Sequence, residues 1–166
     1  VMQRHPDWGD GILDYLKRRL AAASVPDDEA ELLRDTILAY RADARVQQLV
    51  ADSLADARLS PLQRKLLLEV LERSEFGPTT LPPTWAEQIA AHLQSADDAV
   101  VRQAVTVAVR IGGDRFDGAL LAIGNDGAKG EALRIAALDA VGPRLPRLAP
   151  DTFTMLTIRL TTSADS

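Results

Sequence analysis

The chain has 166 residues, 46% hydrophobic and 26% charged, enough to bury a core as one domain over residues 1–166 without disulfides or metals. Its formal net charge is −5 and no basic stripe stands out, which argues against a nucleic-acid module. Cysteine is absent, so disulfides, thiolate nucleophiles, zinc knuckles and covalent c-type haem attachment are excluded within it.

Aromatic residues are only 4%, and the apolar content comes mostly from Ala, Leu and Val. That mixture suits closely packed helices better than a β-sandwich. The pattern predicts a first helix over 11–22, where Ile12, Leu13, Leu16 and Leu20 recur at helical spacing. Pro26-Asp27-Asp28 opens a second, over 28–41, because acids near exposed N-terminal amides favour the helix dipole. A third follows over 44–57. Ser60-Pro61 is an N-cap with proline at the first helical position, starting a fourth over 61–74.

The one irregular connection is 76–83, where three prolines and a glycine make a stiff loop. A fifth helix is expected from Thr84-Trp85 to Gln94. Asp97-Asp98 opens a sixth, which Gly112-Gly113 closes. A short seventh over 116–123, an eighth over 130–141 and a ninth over 152–160 complete the chain. No segment shows period-2 alternation with hairpin turns, so the fold class is all-α. No apolar run approaches the roughly 18 residues that a membrane span requires. Val1 before Met2 and the abrupt end at Ser166 read as an excised piece of a longer protein.

Four segments align without gaps on Arg34, Arg64, Arg102 and Arg134, which are 30, 38 and 32 residues apart. Acids precede each arginine: Asp28, Asp56, Asp97 with Asp98, and Asp126. Each copy is expected to be the second helix of a hairpin, stacked so that neighbours share a continuous core. Asp followed by Val-Arg-x-Ala-Val, as at Val101–Val105, or by Leu-Arg-x-x-Ala-Leu, as at Leu133–Leu138, resembles the second helix of a HEAT repeat. The resemblance covers 27–142, and the first two copies depart from it at Thr36 and Leu66. It implies an armadillo-like α-solenoid of about four HEAT-like hairpins plus a C-terminal helix. Asp56-Ala57-Arg58-Leu59-Ser60-Pro61-Leu62-Gln63-Arg64, with Leu66–Leu71, also resembles the HEAT segment of large bacterial haem-binding, dehydrogenase-like proteins. That second resemblance implies a spacer or docking segment in an extracytoplasmic redox protein, but no haem role reaches any residue here.

Candidate sites are few. Arginine near a helix N-terminus opposes the dipole unless an acid compensates, so Arg34, Arg64, Arg102 and Arg134 are expected to form a structural ladder. His5 and His92 have no partners at catalytic or metal-ligand spacing. Gly124-x-x-Gly127-x-x-Gly130 lacks the strand and the Lys-Ser/Thr ending of a phosphate loop, and it reads as a turn. Counting from each arginine, positions +1, +5 and +8 form the stripe opposite the core. It holds Lys65, Glu69 and Glu72, then Gln103, Val107 and Arg110, then Ile135 and Asp139. Second helices of HEAT-type hairpins generally line a concave face, so this stripe is where a protein or neighbouring domain would sit. Val107 and Ile135 are expected to form an apolar docking patch. A non-catalytic scaffold without cofactor is the reading that follows, and a HEAT-like nucleic-acid enzyme is disfavoured by Glu69 and Glu72 on the same face.

Overall fold

The computed structural model describes residues 6–22 and 25–144. The ninth helix expected over 152–160, His5 and the side chain of Trp8 lie outside the described residues. Among the described residues the protein is all helical, with no strand: α1 (Pro6–Leu20), α2 (Asp27–Ala39), α3 (Ala44–Ala55), α4 (Pro61–Arg73), α5 (Pro83–Leu93), α6 (Asp98–Ile111), α7 (Asp117–Asn125) and α8 (Glu131–Val141). A single 3-10 turn, Gly142–Arg144, follows α8. α1 begins a turn earlier than the apolar spacing indicates, because Pro6 starts a helix without spending an amide that would lack a partner.

Local chemistry explains the breaks. Ser60 and Gln63 form a reciprocal capping box at the start of α4. Gln63 is buried because its side-chain amide also donates to the Leu20 and Ala22 carbonyls, at 3.2 and 2.9 Å, which satisfies the exposed end of α1. Asp43 and Asp97 cap α3 and α6 by accepting from Arg45 N and Ala99 N. α6 stops where Gly112 and Gly113 take φ of 74° and 80°, a region that side-chain-bearing residues avoid. A Cβ on Gly113 would stand 2.6 Å from Pro78 Cβ, so this turn and the Pro-rich loop are packed hard together.

The helices pack in two rows. Each helix of the pairs α1/α2, α3/α4, α5/α6 and α7/α8 touches its mate. In addition α1, α3, α5 and α7 touch in succession, and so do α2, α4, α6 and α8. The core lies between the rows and is built from Leu16, Leu33, Leu54, Leu67, Leu71, Ile89, Val105 and Leu133, all buried. Trp85 is its largest member. The indole sits edge-on to Phe76, 5.5 Å between centroids, and its Nε1 donates to the Gln47 carbonyl at 2.9 Å, so its one polar atom is satisfied. α7 packs against α8 at Gly124, where any Cβ would collide with the Leu138 side chain. No helix among the described residues is long and apolar enough to cross a membrane.

Candidate interaction face

The stripe picked out in the sequence lies on the row α2, α4, α6, α8, and the structure divides it. Lys65, Arg110 and Asp139 are exposed, while Glu69, Glu72, Gln103 and Ile135 are half-buried. Val107 has no accessible surface. The expected Val107–Ile135 docking patch is therefore wrong, because Val107 belongs to the core and cannot meet a partner.

The cause is a one-residue slip in the third copy. Aligning Arg102 with Arg64 puts Val107 opposite Glu69, yet burial places Ala104 where Leu67 stands in α4, and Val107 where Val70 stands. In that register Ala104, Val105, Val107, Ala108 and Ile111 match the buried Leu67, Leu68, Val70, Leu71 and Ser74. Arg102 then takes the place of Lys65, on the outside. The buried apolar side chains, not the arginine, set the phase of α6.

The arginine ladder divides in the same way. Arg64 donates to the carbonyls of Leu54 at 3.3 Å, Asp56 at 3.3 Å and Leu59 at 3.5 Å, gripping the end of α3 and the turn after it. Arg134 does the equivalent for α7, donating from Nε to the Gly124 carbonyl at 3.0 Å. Both neutralise the negative end of the preceding helix and satisfy carbonyls that helix geometry orphans. The upstream acids are employed otherwise: Asp56 pairs with Arg58 at 2.9 Å, and Asp97 and Asp126 accept backbone amides. Arg34 reaches sideways to Glu69 of α4 at 2.9 Å. Arg102 is exposed and has no partner among the described residues, so it is not a rung of a structural ladder.

Neighbouring helices of this row are tied by polar side chains. Arg34 bridges α2 to α4 through Glu69, and Gln103 bridges α6 to α4 by donating to Glu72 at 3.1 Å. Lys129, in the turn before α8, holds Asp98 at 2.7 Å, which raises the Lys129 pKa by that hydrogen bond. These ties consume stripe carboxylates that sequence reasoning left open to a partner. Among the described residues the large apolar side chains that face solvent are Leu32, Leu62 and Val109, at 58, 54 and 49% exposure. Leu32 and Leu62 stand two residues before their repeated arginines, a shared position visible in the aligned copies. Val109 lies outside the +1, +5 and +8 positions counted from Arg102, so the sequence pattern did not single it out.

His92 is the other titratable group in an unusual setting. It is buried on α5, with Nδ1 2.7 Å from the Gln88 carbonyl and Nε2 2.9 Å from Arg64 Nη1. A carbonyl only accepts, so Nδ1 carries the proton and Nε2 accepts from the guanidinium. Burial first, and the Arg64 charge with it, push the imidazole pKa below its ordinary value, against the opposing pull of the Gln88 carbonyl. The ring is a neutral brace between α4 and α5. Among the described residues no group of three or more His, Cys, Asp or Glu side chains comes together that could hold a metal ion. An open groove of about 640 Å³ between α5 and α7 is lined by Leu93, Ser95, Ala119, Ala122, Asp126 and Lys129; its Ser95 hydroxyl accepts from the Asp97 amide and its Lys129 holds Asp98. Comparison with protein-family models, with curated proteins and with solved structures finds no match for this chain.

Proposed function

We propose that this chain is a non-catalytic interaction module, a HEAT-type α-solenoid of four hairpins that presents α2, α4, α6 and α8 to a protein partner or a neighbouring domain. The order of packing carries the reading. Each pair contacts the next through both of its helices, odd on odd and even on even, and every substantial contact joins a helix to its successor or to the next but one. Such an array offers a long outer surface. The recurrent grip of Arg64 and Arg134 on the end of the preceding helix supports the repeat at the level of single hydrogen bonds. Among the described residues the exposed large apolar side chains, Leu32, Leu62 and Val109, all belong to the even row, which favours that row as the one that docks.

A photo-crosslinking amino acid at Leu62 or Val109, compared with exposed Asp14 and Glu87 of the odd row, tests the reading in cells that express the chain. Adducts to a defined protein from the even-row positions alone are expected. Adducts that arise equally from Asp14 and Glu87, or from none of the four, would overturn it.

A further inference from the structure

The carboxylates of α4 and α6 each have a partner within the chain, and only Glu72, held by a neutral amide, keeps an unpaired negative charge. Glu69 is held by Arg34, with Lys65 more distant at 4.0 Å, Glu72 by Gln103, and Asp98 by Lys129. The cations are left outside: Lys65 is 65% exposed, and Arg102 and Arg110 are exposed with no partner among the described residues. Arg102 and Arg110 lie on one side of α6 two turns apart, about 12 Å at helical rise, with Thr106 and exposed Val109 between them. On α4 the exposed Leu62 stands beside Lys65. A chain of net charge −5 thus carries a cationic surface with apolar side chains set into it.

We propose that this surface takes an acidic amphipathic helix of a protein partner, an inference that rests on the interaction-module reading above. Carboxylates two turns apart on such a helix would meet Arg102 and Arg110, and its apolar stripe would cover Val109 and Leu62. A guanidinium fits a carboxylate in a bidentate manner, so arginine here gives orientation as well as charge. A second copy of this chain fits less well. Exposed Glu131 and Asp139 on its α8 have the spacing of the two arginines, but between them that helix exposes only Ala132 and Ala136 and no large apolar side chain to cover Val109 and Leu62.

The test uses the full chain and two synthetic helical probes of about 18 residues, roughly five turns. One is built from Glu, Leu and Ala, the other has Lys in place of every Glu. Fluorescence anisotropy should show the acidic probe binding at least about tenfold tighter than the basic one, with the preference lost as salt is raised from about 50 to about 500 mM. Arg102→Glu with Arg110→Glu should reverse the preference, and Arg102→Gln with Arg110→Gln should abolish it. Both sites are exposed, and an unchanged circular dichroism spectrum confirms folding. Equal binding of the two probes, indifference to these substitutions, or salt-sensitive self-association in sedimentation that the reversal removes would each overturn the proposal. If even-row crosslinks persist in the charge-reversed chain, the docking reading stands and only the acidic partner falls.

Discussion

His92 shows how a burial site and one cation settle a protonation state. The folded ring resists a proton that the unfolded ring accepts near its ordinary pKa of about 6.5. Because the folded pKa is depressed, the unfolded chain binds more protons as pH falls below about 6.5, and stability drops from there towards the folded value. Thermal melts between pH 7.5 and 5 should show this loss, and His92→Gln should flatten that part of the profile; an unchanged slope would remove His92 as its source. Arg64 and Arg102 provide a second comparison. Arg64→Ala leaves carbonyls at the end of α3 without their donor and should cost about 1–3 kcal/mol. Arg102→Ala, on the outside without a partner, should change stability by no more than about 0.5 kcal/mol. Urea unfolding of the two variants separates these outcomes, and equal losses would restore Arg102 to the ladder. Val107→Asp would bury an unpaired carboxylate among core side chains and should prevent stable folding.

Helix types and most boundaries were legible because proline, glycine and capping residues mark them so clearly. Ser60-Pro61, Asp97 and Gly112-Gly113 stop or start helices for reasons internal to their own few residues. The phase of a helix about its axis is less local. Leu66-Leu67-Leu68 and Ala104-Val105 can be overlaid in two ways one residue apart, and an arginine common to both copies favoured the wrong one. Val107 held the correcting signal: an apolar β-branched residue on a face assigned to solvent is better explained by a rotated helix than by a docking patch. The polar ties of Glu69, Glu72 and Asp98 were not legible, since each joins residues of different elements, 31 to 35 positions apart. Glycine at 124 was readable as a turn but not as a contact point. Gly124→Val should force Leu138 out of its place and separate α7 from α8, costing about 1–3 kcal/mol. Hydrogen exchange should show that loss in α7 and α8 first; uniform loss along the chain would mean that the pair does not open alone.

The arrangement of all eight helices has consequences that no single pair shows. Removing α7 and α8 by ending the chain after Gly113 takes away contacts made by α5 and α6 and leaves those among α1 to α4 untouched. Such a shortened chain should keep its helical circular dichroism and melt at a lower temperature, as arrays with neighbour-only coupling do. Complete loss of helix on truncation would instead indicate one cooperative unit closed end to end.

The same neighbour-only packing bears on how the protein is made. On a ribosome α1 to α4 emerge before α5 to α8, and among the described residues no substantial contact joins α1 to α4 with α7 or α8. Short loop closures suffice at each step, so the entropic barrier stays low and unpaired apolar faces are exposed only at the growing end. Each newly synthesised pair meets a preformed surface on its predecessor, and assembly advances in the direction of translation.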